Sequence, residues 1–155
     1  MNKDEIAKYI IENNDLMTVA TANQDGKPWV SPVGFSMDED HNLYWTSHKD
    51  AIHSQNVRQR PEVAIVVVGK NPEGNPDGVY FDATAKELND PAELETAIKI
   101  VDGRNKESKY VIGSAENVIG DATWRIYKAT PKQAWKRASA VINGQAATVR
   151  EEIDL

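Results

Sequence analysis

Apolar and polar positions along this chain follow two periods, and the changes between them mark the predicted elements. Apolar residues at three- and four-residue spacing predict a helix over residues 4–13, and similar patterns with a capping Asp predict helices over 50–59 and 90–103. Elsewhere apolar residues alternate with polar ones, which is the pattern of half-buried strands. The predicted strands are residues 16–22, 29–37, 43–47, 63–68, 79–88, 124–128 and 133–137.

Three less regular segments carry further expectations. The apolar run at residues 63–68 shows so little alternation that both of its faces should be covered. Thr130 and Pro131 predict a turn between the last two strands. Residues 104–122 are polar and predicted to be irregular, and residues 147–153 fit an edge strand in an otherwise ambiguous tail.

The spacing of the predicted strands indicates the fold class. Short strands joined mostly by turn-length connections favour an antiparallel sheet, and closure into a barrel protects its edges. A doubly wound parallel sheet needs a helix after nearly every strand, and this pattern lacks that alternation. Because no repeat or linker is visible, we predict one domain over residues 1–155 that is mainly β with flanking helices.

Composition and charge exclude several classes of function. Eighteen Lys and Arg against 24 Asp and Glu give a formal net charge of −6, which disfavours a nucleic-acid partner. The chain has no cysteine, which excludes a disulfide scaffold, a thiolate zinc site and a cysteine nucleophile. No apolar run approaches the roughly 20 residues of a membrane helix, and the charged N-terminus leads into no targeting segment. We therefore expect a cytoplasmic protein with no membrane partner.

No catalytic acid, base or nucleophile is marked by a motif. The sequence contains no G-x-G-x-x-G, G-x-S-x-G or H-E-x-x-H pattern. Its histidines are His41, His48 and His53. On one helix His48 and His53 would lie about 140° apart around the axis, which is a poor chelating geometry. We predict no metal site.

One segment departs from the acidic average. Residues 45–60 contain three cations, Lys49, Arg58 and Arg60, and one anion, Asp50, so their formal charge is three minus one, or +2. The segment also joins a predicted strand end to a helix N-terminus, where free amides and the helix dipole favour an anion. From the residues alone, a phosphate site and an ordinary capped surface helix fit equally well.

The segments around this region resemble, in their order and gaps, the pyridoxamine 5′-phosphate oxidase-like family of FMN-binding split barrels. The resemblance is clear over residues 5–101 and continues in the C-terminal third through residues 127–131 and Trp135. The matching segments are MTVAT, DGKPWVSPV, LYWTS and NVRQRPEVA, at residues 17–21, 25–33, 43–47 and 56–64.

This resemblance implies an antiparallel split β-barrel that forms a homodimer with FMN at the subunit interface. In the family, the strand matching residues 30–33 lies along the isoalloxazine, and the strand end at residues 45–47 and the next helix hold the phosphate. The cofactor-binding residues implied in this way are Val30, Ser31, Pro32, Val33, Trp45, Thr46, Ser47, His48, Lys49, His53, Asn56 and Trp135.

The start of that helix departs from the family, which often has Ser, Arg and Lys where this chain has Ala51, Ile52 and His53. His53, Lys49, His48 and backbone amides would then hold the phosphate. If His53 must be protonated to do so, FMN affinity should fall as the pH rises.

Three tryptophans can also be interpreted as packing residues. Trp135 fits a residue beside the flavin and a core tryptophan equally well. The strand spacing of Trp29 and Trp45 favours packing in the barrel wall or an interface over stacking on the ring.

The function implied by the resemblance is an FMN-dependent oxidoreductase with an unknown small-molecule substrate. Oxidation of pyridoxamine 5′-phosphate itself is disfavoured because the corresponding C-terminal substrate-binding pattern is not evident. The alternatives are a non-catalytic flavin-binding or flavin-sensing protein and a relative that uses a deazaflavin or haem.

Overall fold

A computed structural model describes residues 1–104 and 110–155. Every strand in these two ranges belongs to one antiparallel sheet, and three α-helices pack around it. The helices are α1 (Lys3–Glu12), α2 (Ile52–Gln59) and α3 (Pro91–Arg104), and the strands are β1 (Leu16–Ala22), β2 (Pro28–Gly34), β3 (Ser36–Met37), β4 (Leu43–His48), β5 (Glu62–Lys70), β6 (Pro76–Glu87), β7 (Trp124–Ile142) and β8 (Gln145–Glu152).

The strand order makes an open barrel. The sheet runs β2-β1-β5-β6-β7-β4-β3, and β8 pairs with β7 off this path. Although β2 and β4 lie far apart in this order, they approach each other, so the sheet curls back on itself. No strand pairing joins these two strands in the described ranges. We call the gap between β2 and β4 the split, and the predicted antiparallel split-barrel architecture is confirmed.

Inward-facing side chains from the strands fill the barrel. Met17 and Val19 from β1 meet Phe81 from β6 and Tyr127 from β7 in this core. At one end α1 packs against β5 and β6 and buries its apolar side, including Ile10. Its N-terminus is closed by a capping box in which the Asn2 side chain accepts from the Glu5 amide and Glu5 bonds back to Asn2.

A second apolar cluster lies outside the barrel wall, between α3 and the outer surface of β4 and β7. Leu94 and Ile98 of α3 pack there with Tyr44 and Ile126. The predicted helix at residues 90–103 is confirmed. Asp90 caps it, since its Oδ2 accepts from the amides of Ala92 and Glu93 at 3.1 and 3.0 Å.

The prediction of one strand over residues 29–37 was wrong. Phe35 divides this segment into β2 and β3, which lie at opposite edges of the sheet. Its amide donates to the carbonyl of Asp15 at 3.1 Å instead of joining a strand ladder. The chain therefore crosses the split at Phe35, and an alternating pattern along one segment does not reveal a crossing between two edges.

Within the described part of one chain, only one face of residues 63–68 is covered, whereas the sequence predicts that both are. In β5 buried and more exposed residues alternate, and Val68 is 65% exposed. Its inner face joins the core, whereas the described part of this chain leaves its outer face largely open. The apolar composition of that outer face has no explanation within one barrel.

The predicted turn at Thr130 and Pro131 was wrong as well. β7 continues through both residues for a total of 19 residues. Asp82 pairs with Gln133 and Ala83 with Pro131, so Lys132 is an extra residue in β7 at a β-bulge. A bulge accommodates a proline, which has no amide to donate to the ladder.

The C-terminal tail forms a strand, and part of the segment predicted to be irregular forms a short helix. β8 confirms the strand expected near residues 147–153, and Asn143 and Gly144, both with positive φ, form the two-residue hairpin turn that joins it to β7. In the segment 104–122, a 3-10 helix spans Ala115–Val118, while residues 105–109 lie outside the described ranges. No helix within the described ranges has the length and apolarity needed to cross a bilayer.

Candidate binding site at the barrel split

A cavity of about 650 Å³ opens at the split. Its walls include the apolar side chains of Leu16 and Phe35, the latter at the crossing between β2 and β3. Thr46 of β4 and Arg104 at the end of α3 add polar groups. Small-molecule sites have this character, with mostly apolar walls, a few placed polar groups and volumes of roughly 300–1,000 Å³.

Arg104 is held in place by its neighbours. Its guanidinium lies 4.6 Å above the centre of the Phe35 ring and donates to the carbonyl of Asn14. It also pairs with the Asp15 carboxylate at 3.3 Å. The charge of Arg104 is therefore partly neutralised before any ligand arrives.

A second cavity of about 380 Å³ adjoins the first and shares Thr46 and Tyr110 with it. Val111, Val118 and Trp124 provide its apolar walls, and the described residues that line it include no charged side chain. Thr46 therefore lies where two mostly apolar spaces meet on the outer surface of β4.

One wall of this second cavity is fastened to α3 by Asp102. The two carboxylate oxygens of Asp102 accept from the amides of Ile112 and Gly113 at 2.8 and 2.9 Å. These bonds hold the segment that carries Ile112 and Val118 against the barrel.

Trp45 supports the cavity floor from inside the barrel. It is 1% exposed and stacks on Tyr127 with ring centres 5.4 Å apart. Its position confirms the expectation of barrel-wall packing. The Nε1 atom of Trp45 is buried and has no hydrogen-bond partner in the described part of the chain.

A polar network lies beneath α2. The Tyr127 hydroxyl donates to Glu87 Oε1 at 3.1 Å, and the Arg58 guanidinium pairs with the same oxygen at 3.1 Å. Burial raises the pKa of Tyr127 to about 12, so its hydroxyl keeps its proton. Arg58 also donates to the carbonyl of Lys49 at 2.6 Å, which ties the end of α2 to the loop before it.

The junction between β4 and α2 places His53 inside the fold. His53 is 9% exposed, and its Nε2 lies 2.7 Å from Ser47 Oγ. Burial lowers the pKa of His53 from its ordinary value of 6.5, so the neutral form is favoured. This geometry does not support the expectation of a protonated His53 that holds a phosphate.

Other residues of the cationic segment, residues 45–60, contact different parts of the protein. His48 is exposed, accepts from the Asp50 amide through Nδ1 at 3.1 Å and meets Trp124 edge-on. Lys49 is half-buried, and its amide donates to Thr123. Asn56 is buried and donates to Thr21 Oγ1 at 3.0 Å, so it fastens α2 to β1.

The comparison with protein-family models supports the resemblance noted in the sequence. The model of the pyridoxamine 5′-phosphate oxidase family matches residues 3–152. The chain belongs to this family. No curated protein matches the sequence.

Solved structures of proteins with low sequence identity have the same fold. The haem storage protein HutZ from Vibrio cholerae superposes with a TM-score of 0.69 at 19% identity, over 86% of this chain and 92% of its own. A haem-binding protein from Mycobacterium smegmatis gives 0.70 at 18% identity, over 97% of this chain and 58% of its own. A FAD-binding protein from Mesorhizobium loti gives 0.62 at 17% identity, over 86% and 92%. At these identities the likeness concerns the fold.

In this member of the pyridoxamine 5′-phosphate oxidase family, residues 30–33 alternate across β2. Ser31 and Val33 are the more buried pair, and Val33 belongs to the barrel core. Val30 and Pro32 are exposed on the outer face. Only half of the predicted ring-binding strand therefore faces outward within one chain.

Trp135 lies on that same outer face, but not at the split. The strand register aligns paired residues into one row across the sheet. This row begins at Pro32 on β2, crosses β1 and β5, and continues through Tyr80 on β6 to Trp135 on β7. Four steps of about 4.8 Å between strands separate Pro32 from Trp135 by roughly 19 Å, measured along the curved sheet. On β7 it is Trp124 that pairs with His48 at the β4–α2 junction, and Trp135 lies 11 residues farther along the strand, so one chain does not bring Trp135 to that junction.

Sequence reasoning missed several residues of the site. Leu16, Phe35, Arg104 and Trp124 come from four separate parts of the chain and line the two adjoining cavities only after folding. Their individual patterns predict a strand end, a core position, a helix end and a strand start. No local signal distinguishes them from other residues with those roles.

Proposed function

We propose that this chain is an FMN-binding, flavin-dependent oxidoreductase that works as a homodimer. The observation that carries the proposal is the cavity at the split, with apolar walls and the Thr46 hydroxyl at its rim, in a member of the pyridoxamine 5′-phosphate oxidase family. A tricyclic flavin needs flat apolar surfaces and a few polar partners along its edge. The FAD-binding relative from Mesorhizobium loti supports a flavin on this fold.

The polar groups near the cavity suit the edge of a flavin ring. Thr46 offers a hydroxyl donor where the two cavities meet. A flavin ring carries carbonyl acceptors along one edge, and this hydroxyl would donate to one of them.

The N-terminus of α2 provides fewer groups for the phosphate-bearing part of FMN. Lys49 and the first amides of α2 are available there, whereas Ala51 has no polar side chain and His53 faces Ser47. When bound, the flavin ring would supply the electron transfer. The chain itself would hold the ring between β2 and β4, donate to its edge and exclude water from one side.

The proposed dimer uses the outer face of the sheet. Val30 and Val68 are 64% and 65% exposed there, and the row from Pro32 to Trp135 lies on the same face. An apolar sheet face without a cover in the monomer indicates a partner surface. In a twofold dimer this face meets its own copy, so Trp135 from one chain can approach the split of the other.

Haem is the competing cofactor, since HutZ and the Mycobacterium smegmatis protein bind it. The described residues that line the two cavities include no histidine, a common ligand of haem iron. This lining favours flavin over haem at the split.

A titration of the purified protein with FMN tests the proposal. We expect quenching of flavin fluorescence, a flavin absorption spectrum that co-elutes with a dimer in light-scattering chromatography, and oxidation of NAD(P)H by the complex. Binding without NAD(P)H oxidation would indicate a flavin-binding or flavin-sensing protein. A Soret band, or binding of a deazaflavin in place of FMN, would overturn the FMN assignment.

A pair of charge substitutions locates the site. Leu16 lines the cavity, so Leu16→Glu places a carboxylate against the proposed ring and should abolish FMN binding. Val141 is 75% exposed on the β7–β8 hairpin, and Val141→Glu is the matched control that should bind FMN normally. Equal binding by both variants would contradict a site at the split. The cytoplasmic location expected from the sequence stays a prediction.

A further inference from the structure

The first turn of α2 presents little that could bind a phosphate through a side chain. Ala51 occupies its N-cap position, and the Ile52 side chain that follows is 46% exposed. His53 comes next, but it is buried, and its Nε2 is engaged by Ser47 at 2.7 Å. An apolar side chain therefore lies at the helix start, and the only titratable one points into the protein.

Most cations of the segment 45–60 already have hydrogen-bond or ion-pair partners within the protein. Arg58 pairs with Glu87 and donates to the carbonyl of Lys49, and Arg60 donates to the carbonyl of Asn23 at 3.3 Å. Among Lys49, Arg58 and Arg60, only Lys49 has a side chain without a hydrogen-bond or ion-pair partner in the described part of the chain. One flexible ammonium is a weak counterpart for a phosphate dianion, because binding must immobilise a long side chain near water.

The cavities at the split do not extend to this helix end. None of the described residues that line the two spaces belongs to α2. Their walls are mostly apolar, and the Thr46 hydroxyl lies where the two spaces meet, which suits a ring with a polar edge. Apart from Lys49 and the first amides of α2, the contacts that the chain can make with a flavin are thus concentrated at the ring.

From this arrangement we infer that the site recognises the flavin ring and not the terminal phosphate, so that riboflavin binds nearly as tightly as FMN. Ile52 and the inward-facing His53 are the residues that set this specificity. The inference rests on the proposed function, because it assumes that a flavin occupies the split. It extends the ligand class to flavins whose side chain ends in a neutral hydroxyl group.

Parallel titrations with FMN and riboflavin test the inference on the wild-type protein. We expect dissociation constants within about fivefold of each other, since a single screened cation contributes little to phosphate binding. An FMN preference above about thirtyfold would overturn the inference while leaving the proposed function intact. Failure of both flavins to bind would overturn the proposed function and this inference with it.

Two variants make the test more specific. Ile52→Arg places a guanidinium at the helix start and should raise FMN affinity about tenfold while leaving riboflavin affinity unchanged. Val141→Arg adds the same charge at a side chain that is 75% exposed on the β7–β8 hairpin, and this matched control should change neither. Because Ile52 is also nearly half exposed, neither change should disturb folding. An equal gain for both flavins in Ile52→Arg, or no gain for FMN, would contradict the assignment of the helix start to the phosphate end.

The pH dependence of the FMN and riboflavin affinities tests whether His53 binds the phosphate. We expect the ratio of the two dissociation constants to change by less than about threefold between about pH 5.5 and 8.5, where an engaged His53 would titrate. Lys49→Gln should reduce the small FMN preference to none. A preference for FMN that falls about tenfold with rising pH would show that a protonated histidine holds the phosphate, which overturns the inference.

Discussion

The two ends of the candidate site are built in different ways. At the split, Leu16, Phe35 and Trp45 come from separate parts of the chain and form the walls of a cavity. At the start of α2, by contrast, the available groups are consecutive residues whose side chains point in or out, such as Ile52 and His53. We call the cavity at the split the ring end of the site and the start of α2 its helix end. The ring end depends on closure of the barrel, whereas the helix end depends on the orientation of single side chains. Four variants test this contrast.

Trp45→Ala should have the largest effect, because it removes a fully buried ring that supports the cavity floor and stacks on Tyr127. We expect a loss of about 3–5 kcal/mol in the free energy of unfolding, measured with urea, together with loss of flavin binding. Trp45→Phe keeps an aromatic ring on Tyr127 and should lose less. A free energy unchanged in Trp45→Ala would show that the split does not depend on core packing.

Glu87→Ala tests how firmly α2 is fastened to the barrel. The substitution removes the acceptor for Tyr127 and the ion-pair partner of Arg58, and both are partly buried. We expect a loss of about 1–3 kcal/mol in the free energy of unfolding. Glu87→Gln retains an acceptor oxygen and should lose less. If the two variants unfold alike, the network contributes through charge and not through hydrogen bonding.

Thr46→Val tests the ring end without affecting the helix end. Valine keeps the shape and removes the hydroxyl, so FMN and riboflavin should both lose about two- to tenfold in affinity. The variant should fold normally, because Thr46 is half-buried at the cavity rim. Thr148→Val, on the exposed β8 strand, is the control and should bind both flavins as the wild type does. A selective loss of FMN would place Thr46 at the phosphate end.

The smallest effect concerns the helix end and the pH dependence of stability. Burial holds the pKa of His53 below its ordinary 6.5 in the folded chain, so below that pH the unfolded chain binds more protons. The stability contributed by neutral His53 is therefore present above about pH 6.5 and is lost as the pH falls toward its folded pKa.

His53→Gln isolates this contribution, because glutamine does not titrate and can still bond Ser47. We expect the difference in unfolding free energy between wild type and His53→Gln to shrink between about pH 7 and pH 5. Urea unfolding at several pH values measures it. A difference that stays constant would mean that His53 is not held neutral in the fold.

Much of the local structure could be predicted from the sequence, and the errors share a cause. The cap at Asp90 and the strand at residues 16–22 follow from nearby residues, and both are confirmed. The crossing at Phe35 and the bulge opposite Ala83 could not be predicted, since they depend on which strands pair. Local alternation describes which side of a strand is buried, but not which strand lies beside it.

The same limit applies to the candidate site. The junction of β4 and α2 was predicted because its residues are adjacent in sequence, from Thr46 to His53. The inward direction of His53 was not, since it depends on burial and on a hydrogen bond to Ser47. Arg104 and Trp124 were missed because α3 and β7 reach the cavity only after the sheet has curled.

The sequence by itself determined the mainly β character of this protein, its family resemblance and the position of its cationic segment, because periodicity and spacing are local properties. Only the tertiary structure decided that β2 and β4 leave a split, that Trp135 lies roughly 19 Å from Pro32 across the sheet, and that His53 faces inward. These features depend on contacts between residues far apart in the chain. Burial and pairing of that kind are set by how the whole sheet closes.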